Sequence, residues 1–182
     1  KQILVSWLWN WKKFSPLFIK LYLLKTKINS LSYENKKCRD NNSVKFILTV
    51  NPHGGIKQGP QLLKKVKPIF DAEGAELFII ETTFAGHAKE LANQLDLSAY
   101  DGFIGIGGDG TLHEITNGML SRYDENKIPI GIIPGGSGNS YMHDLSLTDP
   151  TKAAKAIIQG ATRSLDTAKV DVNHIVKYAN NM

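Results

Sequence analysis

From residue 44 onward, short apolar runs alternate with amphipathic stretches, and each run ends in polar or glycine-rich residues. Residues 44–50 form a continuous apolar strand that stops at Asn51-Pro52-His53-Gly54-Gly55. Residues 62–70 have helical spacing, with Pro68 a disturbance near the end. A second strand, 77–80, ends at Glu81-Thr82-Thr83. A helix over 85–95 places Ala88, Leu91, Ala92 and Leu95 on one face. The third strand, 103–106, runs into Gly107-Gly108-Asp109-Gly110-Thr111, and a helix follows over 112–120. The fourth strand, 128–133, ends at Pro134-Gly135-Gly136-Ser137-Gly138-Asn139. A helix over 150–158, capped by Thr148 or Asp149 and stopped by Gly160, precedes a strand over 165–172.

Short strands alternating with helices predict an α/β fold, a parallel sheet flanked by helices. Ligands in such sheets bind beyond the carboxyl ends of the strands, which is where all the polar and glycine-rich motifs fall.

Charge divides the chain. Residues 1–43 carry nine basic and two acidic side chains, a net of +7, and the remainder nets −2. The domain proper is near neutral, which argues against a nucleic-acid-binding face. In the arm, Trp7, Trp9, Trp11 and Phe14 stand beside Lys12, Lys13 and Lys20, and no uncharged run reaches the ~20 residues of a spanning helix. Residues 1–27 therefore read either as a segment lying on an anionic membrane surface or as the edge of a preceding domain. Residues 29–43, rich in Asn, Ser and Lys, read as a linker. Cys38 is the one cysteine, so no intrachain disulfide forms, which suits a reducing, cytoplasmic location.

The chemistry concentrates in the glycine loops. Gly107, Gly108 and Gly110 let backbone approach phosphate oxygens, and a helix N-terminus behind them favours an anion. Asp109 is then either an acid placed for proton transfer or metal handling, or the cap of its helix. Gly135, Gly136 and Gly138 form a second loop with amides free for an anion, and Ser137 and Asn139 add side-chain donors. Asn51 either binds a nucleotide or forms the turn before Pro52, and Thr82 either binds or caps. Glu114 faces either the phosphates through a metal or a surface partner. His87 and His113 lack partners at metal spacing and read as packing or surface residues. Gly105, Gly107 and Gly110 also match a dinucleotide fingerprint, but Asp124 and Glu125 precede the next strand instead of ending it. Neither a Walker-type phosphate loop nor a protein-kinase catalytic loop is present.

The chain resembles the lipid kinases that share the diacylglycerol kinase catalytic domain, with sphingosine kinases the nearest branch. The resemblance covers about residues 44–172. It rests on Asn51-Pro52-x-Gly54-Gly55, His87-Ala88-x-Glu90, Tyr100-Asp101-Gly102, Gly107-Gly108-Asp109-Gly110-Thr111-Leu112-x-Glu114, Asn117-Gly118, Pro134-Gly135-Gly136-Ser137-Gly138-Asn139 and Arg163-x-x-Asp166. It implies phosphorylation of a lipid hydroxyl by ATP with Mg²⁺, on a sphingoid base or, alternatively, on diacylglycerol or ceramide. By motif position, Asp109 is the implied catalytic base. Asn51, Pro52, His53, Thr82, Thr83, Phe84, Ala85, Gly86, Gly107, Gly108, Gly110, Thr111, Glu114, Gly135, Gly136, Ser137, Gly138 and Asn139 are the implied nucleotide and phosphate contacts. Ser140 stands where diacylglycerol kinases usually carry an acid, and His53 where the sphingosine branch often carries arginine. An NAD kinase shares the Gly-Gly-Asp-Gly-Thr unit but differs in its other loops. The resemblance also implies a second, mostly β domain, of which residues 163–182 would be the start and residues 44–162 the nucleotide-binding partner. Without that domain, a catalytically incomplete nucleotide- or lipid-binding module is the reading from another class.

Overall fold

The computed structural model describes residues 43–54, 57–124, 126–172 and 175–179. The expected membrane arm, most of the linker, Gly55 and Glu125 lie outside the described residues.

Four parallel strands form one sheet in the order β2-β1-β3-β4: β1 Lys45–Val50, β2 Glu76–Glu81, β3 Gly102–Gly107 and β4 Ile130–Pro134. β1 and β3, buried along nearly their whole length, make the centre, and β2 is a half-exposed edge. Alternation along the strands feeds two cores. Phe46, Leu48, Val50, Ile104, Ile106 and Ile133 meet Val66 and Phe70 of α1 (Gly59–Ala72) and Ala154 of α5 (Pro150–Ile158). On the other face Ile47, Phe103 and Ile132 meet Ala88 and Ala92 of α2 (His87–Gln94) and Ile115 and Met119 of α3 (Asp109–Leu120). Fully burying one such side chain is worth roughly 1.5–3 kcal/mol. The pattern of continuous apolar strands with helices on both faces is the α/β architecture expected from the sequence.

Three local departures have physical causes. α1 continues through Pro68 to Ala72, because buried Val66 and Phe70 anchor it on both sides of the lost amide. α2 begins at His87, not at residue 85: Gly86 sits at φ +91, a conformation that breaks the helix before it starts. A short helix, α4 (Ser140–Asp144), follows the second glycine loop where the sequence showed none. Asp149 caps α5 by accepting from the Thr151 and Lys152 amides, which decides between the two expected caps. Beyond α5, β5 (Ala168–Val172) and β6 (Ile175–Ala179) form an antiparallel pair separate from the main sheet.

Candidate active site

β1 hands over to β2 on one side while β3 and β4 lie on the other, so the sheet reverses direction of growth between β1 and β3. At their carboxyl ends a cleft of about 280 Å³ opens. That is the switch-point position where open α/β sheets bind ligands.

Thirteen of the nineteen residues singled out from sequence line it: Asn51, Thr82, Phe84, Gly107, Gly108, Asp109, Gly110, Thr111, Glu114, Gly135, Gly136, Ser137 and Gly138. The other six sit in the loops that shape it. Asn51 Oδ1 accepts from the His53 amide at 3.0 Å, folding Pro52 and His53 into a turn, so Asn51 both turns the chain and faces the cleft. Thr83 donates its amide to His87 Nδ1 at 3.1 Å, and the His87 ring stacks on Phe84 at 4.6 Å. Phe84, 54% exposed, is thereby held at the rim. The Gly86 amide donates to Glu114 Oε1 at 3.0 Å, which joins the β2–α2 loop to α3. Ala85 lies between these anchors. Asn139 staples the second glycine loop: its Nδ2 donates to the Gly136 carbonyl at 2.8 Å and its Oδ1 accepts from the Gly136 amide at 3.3 Å.

The two glycine loops clasp each other. The Gly135 amide donates to the Gly107 carbonyl at 2.9 Å and the Asp109 amide to the Gly138 carbonyl at 3.0 Å. A Cβ on Gly136 would lie 2.6 Å from Gly108 Cα, and one on Gly108 would run into the Gly138 carbonyl. These glycines are required by close backbone approach between loops, ahead of any approach to a ligand.

Asp109 is the first residue of α3, yet its carboxylate caps a different helix. Oδ2 accepts from the Ser140 amide at 2.9 Å and Oδ1 from the Tyr141 amide at 3.2 Å, both at the start of α4. Burial works to raise the carboxyl pKa, but those two amides, the Ser140 hydroxyl and the positive field of His143 together hold it below the usual carboxylate range. Asp109 is therefore ionised at neutral pH. A carboxylate has about four acceptor sites, so two amides and the Ser140 hydroxyl still leave room for a further proton donor.

Thr49, Gly54, Gly59, Ala88 and Ile106 also line the cleft and were not among the expected site residues. Thr49 had a visible signal, a hydroxyl inside an otherwise apolar strand. It is buried and donates to the Ile104 carbonyl at 3.2 Å, tying β1 to β3 beneath the cleft.

Among the described residues no three His, Cys, Asp or Glu side chains converge as a metal cage. Asp109 and Glu114 are the two carboxylates on the cleft wall. That donor set fits a magnesium ion held by one or two carboxylates, with phosphate and water filling its other positions. No helix among the described residues is long and apolar enough to cross a membrane.

Comparison with known proteins agrees with this geometry. The diacylglycerol kinase catalytic domain profile matches residues 45–170. Sphingosine kinase 1 of Arabidopsis thaliana is 42% identical over 137 residues, 69% of this chain and 28% of that protein. Sphingosine kinase B of Dictyostelium discoideum is 37% identical over 148 residues, and human ceramide kinase 30% over 145. The chain spans 28%, 19% and 27% of the length of these three relatives. A solved diacylglycerol kinase from Bacillus anthracis superposes with a TM-score of 0.60 at 28% identity, covering 71% of this chain and 44% of that one. The chain belongs to the diacylglycerol kinase catalytic domain family.

Proposed function

We propose that this chain is the nucleotide-binding and catalytic part of an ATP-dependent kinase that phosphorylates a lipid hydroxyl, with a sphingoid base as the acceptor. The observation that carries the reading is the clasped pair of glycine loops with one ionised carboxylate, Asp109, at a switch-point cleft. The sphingosine and sphingoid-base kinases among its relatives support the acceptor, as does Ser140 after the second loop. Diacylglycerol and ceramide are the alternative acceptors, and ceramide kinase is itself among the relatives.

In this reading the amides of the two glycine loops that are not spent on holding them together face the transferring phosphoryl group, while those of Asp109, Gly135 and Gly136 keep the loops in place. Phe84, Thr82 and the turn from Asn51 to His53 border the rest of the nucleotide, together with Thr83, Ala85 and Gly86. An alcohol is too weak an acid to ionise freely at neutral pH. Asp109 takes its proton as the new O–P bond forms, the bridging P–O bond breaks, and ADP leaves. The lowered pKa keeps Asp109 ionised at neutral pH, so it is available to accept the proton, and its contribution comes from where it stands. Magnesium, held by Glu114 together with the phosphates, would supply neutralisation of phosphate charge and leave Asp109 to the proton.

Residues 44–162 form the nucleotide-binding unit, and residues 163–182 start a second one. Their separation into a four-stranded parallel sheet and an antiparallel hairpin supports that division. Residues 1–27 place the enzyme on the cytoplasmic face of a membrane. The deciding experiment is phosphate transfer from radiolabelled ATP to sphingosine, diacylglycerol, ceramide and NAD. Label in sphingosine supports the reading, and label in NAD overturns it. ATP binding without transfer to any acceptor would instead identify a nucleotide-binding module.

A further inference from the structure

Asn117 and Gly118 stood out in sequence, yet neither lines the cleft. Asn117 is 5% exposed, and its carboxamide faces β6. The Tyr178 amide donates to Asn117 Oδ1 at 2.8 Å, and Asn117 Nδ2 donates back to the Tyr178 carbonyl at 2.8 Å. A side chain that pairs with both backbone groups of one residue takes the place of a neighbouring strand. Nδ2 also donates to the His113 carbonyl at 2.8 Å, one turn back in α3, which fixes the carboxamide plane. With both donors used, rotating the amide would set donor against donor at Tyr178.

Gly118 locks the other side of the same turn. A Cβ there would run into the Lys89 carbonyl of α2, so glycine lets the two helices touch backbone to backbone. α3 is thus held against α2 by Gly118 and against β6 by Asn117. From Asn117 to Asp109 the helix spans eight residues, about 12 Å of rigid rod. The family profile ends at residue 170, so β6 lies past it and is still bonded to the helix that carries Asp109.

We propose that Asn117 is a positioning residue that latches the β5–β6 hairpin to the helix bearing Asp109, so that hairpin and reaction centre move as one body. Its catalytic consequence rests on the lipid-kinase reading: α3 carries the proton acceptor Asp109 eight residues before Asn117, so loosening the hairpin end of this helix shifts Asp109 at the other. The latch itself does not rest on that reading.

The test uses the full chain as wild type, Asn117→Ala and Asn117→Asp. Asn117→Asp keeps an acceptor for the Tyr178 amide and loses the donor to its carbonyl. Amide hydrogen exchange should rise about tenfold or more across 175–179 in Asn117→Ala, with β1 and β3 unchanged, and Asn117→Asp should fall between. With sphingosine and Mg²⁺-ATP, kcat should fall at least about tenfold while KM for ATP and calorimetric ATP affinity stay at wild-type values. A purely structural residue would instead lower ATP affinity and sheet protection together. Unchanged exchange in the hairpin, equal loosening of β1 and β3, or a wild-type kcat beside a loosened hairpin would each overturn the proposal. If wild type phosphorylates no lipid, the functional reading fails and the exchange result alone decides the latch.

Discussion

Asp109→Asn separates chemistry from folding at one position. The substitution preserves shape and removes the charge. It also turns one of two acceptor atoms into a donor, and that donor must face either the Ser140 or the Tyr141 amide, which now contact Oδ2 at 2.9 Å and Oδ1 at 3.2 Å. Hydrogen bonds to a charged group contribute about 1.5–3 kcal/mol against about 0.5–1.5 for neutral ones, so the loss of cap is roughly 1–2 kcal/mol. That shifts the unfolding midpoint by only a few degrees in a chain of this size. Loss of the proton acceptor should cost about 10²–10⁴-fold in turnover, equivalent to roughly 3–5 kcal/mol of barrier. The chemical effect therefore exceeds the structural one, and the variant stays folded and binds ATP. Turnover on sphingosine, calorimetric ATP affinity and thermal unfolding are measured side by side. Turnover within a few-fold of wild type would refute Asp109 as the proton acceptor. The pH dependence gives a second check. The folded carboxyl is depressed, so its stabilisation is present above the unfolded value and is lost as pH falls through the folded one. The stability gap between wild type and Asp109→Asn should accordingly close as the pH falls below the ordinary carboxylate range.

Gly136→Val should weaken ATP binding and lower the unfolding midpoint together, because its side chain would strike Gly108 2.6 Å away before reaching any ligand; an unchanged affinity in calorimetry would count against the clasp. Arg122 is buried and donates to the Ala92 and Asn93 carbonyls at the end of α2 as well as to Asp124. Arg122→Ala should cost about 1–3 kcal/mol for the unsatisfied carbonyls, read by chemical denaturation, and Arg122→Lys should recover only part. The 1–43 arm, at net +7, should carry the chain onto phosphatidylserine liposomes, at about 1 kcal/mol per basic residue near the surface, whereas 44–182 stays in solution. Equal sedimentation of the two, or pelleting of the arm without lipid, would dismiss the membrane role.

What the sequence disclosed was whatever is written locally. β3 and the loop after it are legible because apolar residues, glycines and helical spacing follow one another within twenty positions. The four-strand alternation likewise gave the parallel sheet. α4 was invisible because its cap is Asp109, 31 residues upstream, and no local residue announces a helix there. The same bond explains why Asp109 divided into two readings: it caps a helix, but not its own. Asn117 could be flagged but not interpreted, since its partner lies 61 residues away. Pro68 misled because propensity speaks against a helix interior, while burial of Phe70 two residues later outweighs it.

The clasp between the glycine loops has a consequence for how this cleft can change over evolutionary time. Surface loops ordinarily accept insertions and substitutions one at a time, because each answers only to its own ends. Here Gly108 and Gly136 occupy each other's side-chain space, and the loops share two backbone hydrogen bonds. A change in either is felt first by the other. Their substitutions should be strongly non-additive in a double-mutant cycle, with one change altering the cost of the next. Two segments separated by a whole helix and strand should thus answer to substitution as a single unit.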